Sequence, residues 1–207
     1  MKRVLWVFAV IALLAGVLVF TPLGMIATMI ATNMVEITEF KVEGDTLFMN
    51  GEINSKTLGQ FEEVYAENPG IVRLVEQVVP GSNDDDTMIA LAYRVRELGI
   101  STHLTSDSEI FSGGVDLFLA GASRTMVSGA VIGVHSWSDG IKDAKDYPKD
   151  SPEHEQNRKY IEDMLGSDAF YWFTIYAAPA DDILNMTNEQ IVEFGLLTEP
   201  IRQNDEE

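Results

Sequence analysis

The stretch Ser108–Gly121, SEIFSGGVDLFLAG, joins a polar, glycine-rich elbow to an apolar run at helical spacing. One serine, Ser112, stands directly before Gly113 and Gly114. Two readings of this elbow are open on the residues alone. In the first, Ser112 is a nucleophile presented at a helix start. The glycines then let a substrate approach the backbone, and the free N–H groups of the first turn face a developing negative charge. In the second, Ser112 belongs to an ordinary turn or caps the helix. Asp116, four residues on, would share the helix face of Ser112 and is unusual within an apolar run.

The flanking segments set this elbow in an alternating pattern. ISTHLT (100–105) reads as a strand before it, and TMVSGAVIGVHSW (125–137) reads as one strand after it. Upstream, IVRLVEQVV (71–79) is another strand, ended by Pro80-Gly81. NDDDTMIALAYRVREL is a helix with Asp84, Asp85 and Asp86 in its first turn, and Gly99 closes it. ITEFKVEGDTLFMNGEI reads as two short strands about a Glu43-Gly44-Asp45 turn, followed by a helix over SKTLGQFEEVYAEN. Beyond the elbow, residues 136–151 form a polar excursion. A helix runs through PEHEQNRKYIEDML, and Thr187 with Gln190 form a capping box that opens a last short helix. Strands alternating with helices predict an α/β fold with crossover connections.

His135 ends the apolar run AVIGVH. In open α/β sheets, ligands bind beyond the carboxyl ends of strands, so a general base is expected there. A histidine packed at a strand end is the plainer alternative. His103 falls mid-strand and His154 in a polar helix start; neither shares that placement. The carboxylate that would orient His135 has three candidates, Asp181, Asp182 and Asp116.

Composition narrows the function classes. The 207 residues carry 33 acidic and 14 basic side chains, a net charge of −19, which argues against nucleic acid as a partner. There is no cysteine, and no two of the three histidines have helical zinc-motif spacing, so neither a metal nor a cofactor is expected. At the N-terminus, MKR precedes the unbroken apolar run VLWVFAVIALLAGVLVF, and no charge returns until Glu36. This is long enough to cross a bilayer. Lys2 and Arg3 would stay cytoplasmic, placing the bulk of the chain on the extracytoplasmic, periplasmic side. An uncleaved anchor fits better than a cleaved signal peptide, because the run is long and no A-x-A site follows it. Residues 1–35 are therefore read as a membrane anchor or signal segment and 36–207 as one domain.

In order along the chain, GEI (51–53), VPGS (79–82), ELGISTHL, SGGVDLFLAG, AVIGVH and NEQIVEFGLLTE resemble the Clp protease proteolytic subunit and the wider crotonase superfamily. The likeness extends to extracytoplasmic Clp-like relatives and spans roughly residues 40–199. It implies a curved, mostly parallel sheet with surrounding helices. It also implies a serine peptidase in which Ser112 is the nucleophile, His135 the base and Asp181 (or Asp182) the orienting aspartate. The oxyanion donors it implies are the backbone N–H of Gly113 and of Gly81 or Ser82. Ser82 stands where the family has a second glycine, and Ile110 and Gly114 stand where the extracytoplasmic relatives flank their serine with cysteines. The implied activity is ATP-independent cleavage of extended or unfolded peptides, with self-association into a homo-oligomer. The rival expectations are a catalytically inactive binding or assembly protein on the same scaffold and an acyl-CoA enzyme of crotonase type.

Overall fold

The computed structural model describes residues 37–203. The N-terminal segment read as an anchor lies outside the described residues, as does the end of the acidic tail. Among the described residues no helix is long and apolar enough to cross a membrane.

The first hairpin forms as the sequence predicts. β1 (Glu39–Glu43) and β2 (Thr46–Asn50) pair antiparallel about Gly44. α1 (Thr57–Glu67) buries Phe61, which stacks on Tyr65 and meets Phe40 edge-on. β3 (Arg73–Glu76) then pairs parallel with β2. α2 (Asp85–Glu97) packs Met88, Leu91, Ala92 and Val95 inward, and β5 (Ser101–Leu104) follows it. Burial of one such leucine contributes about 1.5–3 kcal/mol.

Two segments read as single strands are each divided. The stretch 71–79 breaks at Gln77 into β3 and β4 (Val78–Val79). The stretch after the elbow breaks into β7 (Arg124–Met126) and β8 (Val131–Val134). At the second break Gly129 adopts φ +111°, which ends strand geometry, and a β-carbon there would meet the Ser106 carbonyl oxygen at 2.9 Å. The single curved sheet expected from sequence is therefore two sheets that share segments of chain. One has the order β1-β2-β3-β5-β7. The other has β4, β6 (Glu109–Phe111), β8 and β9 (Leu184–Asn185). Among the described residues the strands of these two sheets pair parallel except β1 with β2 and β8 with β9.

α3 (Gly113–Leu119) begins at the elbow and is buried along most of its length. α4 (Glu155–Leu165) turns Tyr160, Ile161 and Met164 inward, as its spacing predicts. α5 (Ala169–Ala177) has no counterpart in the sequence reading. Its residues, AFYWFTIYA, are apolar almost all round and give no amphipathic signal. α6 (Asn188–Glu193) carries the expected capping box of Thr187 and Gln190. Near its end the described chain is tied down at Arg202, whose N–H donates to Met126 O at 3.0 Å beside β7.

The three aspartates before α2 separate. Asp84 is the N-cap, its Oδ1 accepting from Thr87 N at 3.0 Å, and only Asp85 and Asp86 lie in the first turn. Asp84→Ala is expected to lower stability by about 0.5–2 kcal/mol, measured by urea unfolding, with Asp84→Asn close to wild type.

Candidate active site

Three parallel strands of the second sheet end side by side. The register pairs Val79 with Ile110 and Ile110 with Ile132. Two residues past these positions the chain presents Gly81, Ser112 and Val134, with His135 next. The elements that position the site are thus the carboxyl ends of β4, β6 and β8.

Ser112 has φ 50° and ψ −123°, and it is the one non-glycine among the described residues with positive φ. Such a conformation costs on the order of 1–3 kcal/mol and persists only where its surroundings enforce it. Ser112 N donates to Gly133 O at 3.1 Å, and Ser112 O accepts from Val115 N and Asp116 N at 2.8 and 3.2 Å. Its hydroxyl makes no capping bond to α3. The capping alternative is therefore set aside: the backbone is held on both sides while Oγ is left for other use. This is the geometry of a sharp strand-to-helix elbow.

The Pro80–Ser82 segment lies against that elbow. Gly81 has φ +141°, and a β-carbon there would approach Ser112 Cβ to 3.3 Å. A β-carbon on Gly113 would collide with the Ser82 side chain and lie 3.0 Å from Ser82 N. The N–H groups of Gly81, Ser82 and Gly113 make no backbone hydrogen bond among the described residues. At Gly114, a β-carbon would sit 2.8 Å from Val79 O, so a cysteine cannot take this place without a backbone shift.

Ser112 and His135 line the same cavity, of about 480 Å³, together with Ser82, Gly113 and Asp116. Asp85 lies at its edge, exposed, with Oδ1 accepting from Ser82 Oγ at 2.7 Å and Oδ2 from Asn157 Nδ2 at 3.3 Å. Asp86 instead accepts from Gln156 at 2.6 Å. Asp116 sits deep in the molecule yet keeps a partly open face. Burial, and secondarily the charge of Asp85, pushes its carboxyl up to about 8.

Asp181 and Asp182 stand apart from this group. Both are exposed and neither lines the cavity; Asp182 Oδ1 accepts from Ile183 N at 2.8 Å. His135 Nδ1 is buried and has no hydrogen-bond partner. The structure thus brings together Ser112, His135, Gly81, Ser82, Gly113 and Asp116, and leaves Asp181 and Asp182 outside.

Sequence reasoning missed the aromatic wall. Trp137 and Tyr171 line the cavity, and Trp137 Nε1 donates to Tyr171 Oη at 3.0 Å. The same hydroxyl lies 2.7 Å from Nδ1 of His154. His154, read as a polar helix start, is only 1 % exposed and is packed against the rings of Trp137 and Trp172. His103 does lie in a strand, with Nδ1 2.7 Å from Thr125 Oγ1, and is not among the residues lining this cavity. Among the described residues no cluster of metal-ligating side chains is present.

No protein-family model matches the chain, and no curated protein sequence matches it. Solved structures are similar in fold. A serine-to-alanine mutant of the 1510-N membrane-bound stomatin-specific protease superposes with a TM-score of 0.54 at 19 % identity, covering 77 % of this chain and 79 % of that one. A ClpP1 mutant from Listeria monocytogenes gives 0.55 at 14 % identity, covering 78 % and 94 %. An enoyl-CoA hydratase from Thermoplasma volcanium gives 0.51 at 16 % identity, covering 81 % and 73 %. At these identities the likeness is one of fold.

Proposed function

The chain has the Clp/crotonase fold, and on that scaffold we propose that it is an ATP-independent serine peptidase. The observation that carries this reading is the strained elbow, which holds Ser112 in a cavity shared with His135. Ser112 Oγ attacks the scissile carbonyl, and His135 takes its proton as base. The oxyanion is received by the N–H of Gly113 and of Gly81 or Ser82. Asp181 follows directly on Ala180, which lines the cavity, and in this reading Asp181 or Asp182 serves His135 only after this exposed segment rearranges. Asp116 is the alternative carboxylate and needs no such movement to face the cavity.

The substrate is an extended or unfolded peptide. A second mutant of the stomatin-specific protease, similar in fold at a TM-score of 0.54, is in complex with a substrate peptide. The apolar run at residues 4–20 supports a membrane anchor with the catalytic domain on the extracytoplasmic side, and self-association would follow the Clp subunits. Asp85 at the cavity edge, and a net charge of −19, oppose a CoA polyanion and disfavour the acyl-CoA reading.

One observation favours the catalytically inactive binding protein as a second reading: the buried, partnerless Nδ1 of His135. Fluorophosphonate labelling of the full chain separates the two. Labelling of wild type that is lost in Ser112→Ala and in His135→Ala is the expected result. A folded wild-type chain that takes no label overturns the peptidase reading.

A further inference from the structure

We propose that the cavity beside Ser112 selects a basic side chain, lysine or arginine, at the residue preceding the scissile bond. This rests on the peptidase reading above and names its substrate class.

Geometry comes first. Asp116, in the first turn of α3, lines the same cavity as Ser112. A lysine or arginine whose backbone is held at Ser112 can reach into that cavity and set its cation on the Asp116 carboxylate. The remaining cavity surface suits such a side chain along its length. Val115, Ile161 and Phe170 offer apolar wall to the methylene stem. The aromatic rings of Trp137 and Tyr171 also line the cavity, a surface to which a cation is attracted.

Charge points the same way. No lysine or arginine lines the cavity, while two carboxylates do. Asp85, at the edge, is held by Ser82 and Asn157. The Asp116 carboxyl accepts no hydrogen bond from any described residue, despite its depth. Buried carboxylates are ordinarily paired or protonated, and one that is unpaired and faces a cavity is open to a cation carried in by a ligand. The neighbouring cations are engaged elsewhere. Arg158 is bound by Glu155, Glu162 and Asp168, and Lys159 by Asp163. Lys149 lies over Trp172 and Tyr176. Without a cationic partner Asp116 holds its proton up to about pH 8, and a cation arriving beside it displaces that proton.

The test uses the full chain carrying Ser112→Ala, so that binding is read without turnover. Fluorescent peptides identical except at one residue (arginine, lysine, citrulline or leucine) are titrated by anisotropy at pH 8. Citrulline keeps the shape of arginine and removes its charge. Arginine and lysine peptides are expected to bind at least about tenfold more tightly than the citrulline peptide, the scale of a charge-assisted hydrogen bond. Adding Asp116→Asn should bring all four within about twofold. Equal binding of arginine and citrulline overturns the inference, as does a preference that survives Asp116→Asn. The arginine–citrulline comparison needs no change at residue 116, so misfolding of that variant cannot shield the proposal. Fluorophosphonate labelling of wild type, run beside it, keeps the two readings apart. Label without basic preference overturns this inference alone. Preference without label overturns turnover alone.

Discussion

Ser112→Ala and His135→Ala are each expected to lower kcat/KM on a cleaved peptide by about 10⁴-fold or more, and the double variant to fall little further. In the proposed peptidase the two side chains act in one step. Without a base, Ser112 Oγ stays a neutral alcohol; without the hydroxyl, His135 has no proton to accept. Residues acting as a unit are strongly non-additive, and what remains comes from the oxyanion donors and binding. In that proposal the donors are backbone N–H groups of Gly113 and of Gly81 or Ser82, which neither substitution removes. Near-multiplicative losses in the double variant, at constant circular dichroism, would show that His135 does not act on Ser112. The orienting carboxylate can be assigned in the same assay. If Asp181 or Asp182 swings in, its asparagine variant lowers kcat; if Asp116 serves, the loss appears at that position.

A second large effect is expected away from the site. Glu76, at the end of β3, is fully buried, and neither carboxyl oxygen has a hydrogen-bond partner. Burial pushes its carboxyl well above the usual range near 4.5. Below that range both the folded and the unfolded chain hold the proton, and the group contributes no pH dependence. Above it, the unfolded chain releases the proton while the folded chain retains it. Stability then falls by up to about 1.4 kcal/mol per pH unit until the folded carboxyl ionises in turn. Glu76→Gln keeps the shape and cannot ionise. The stability difference between Glu76→Gln and wild type should therefore be flat below about pH 4.5 and grow in favour of the variant as pH rises. Urea unfolding at a series of pH values measures it, and subtracting the two chains cancels every other carboxylate. A difference that does not change with pH would mean that Glu76 ionises as freely in the folded protein as outside it.

The alternation of strands and helices, the Gly99 end of α2, the capping box of α6, and the elbow at Ser112 were legible because each rests on local chemistry. A serine before two glycines at the start of an apolar run, and a histidine after AVIGV, carry their signals within a few residues. What was not legible depends on contacts between distant parts of the chain. The breaks at Gln77 and Gly129 arise because each segment serves two sheets, and hydrophobic pattern alone does not distinguish one long buried strand from two short ones. α5 escaped because AFYWFTIYA has no polar face to mark its period. His154 looked polar because its neighbours Glu153 and Glu155 are exposed, whereas the ring itself turns inward to Tyr171. The three aspartates of NDDD were read together, yet Asp84 caps, Asp85 edges the cavity and Asp86 faces α4. Adjacent residues at a helix start diverge by about 100° each, and only the neighbouring helix decides which faces what.

The alignment of three strand ends has a consequence for how the chain can change length. Gly81, Ser112 and His135 are each fixed by counting from a paired residue in β4, β6 or β8. Inserting or deleting one residue within any of these strands moves the functional group along the edge and turns alternate side chains to the opposite face. At Gly140 and Ile141 the chain is exposed, Ile141 by 87 %, and the strand register does not depend on its length. A tag or reporter placed there should leave the cavity intact, whereas a single added residue between Val78 and Gly81, between Glu109 and Ser112 or between Val131 and His135 should dismantle it.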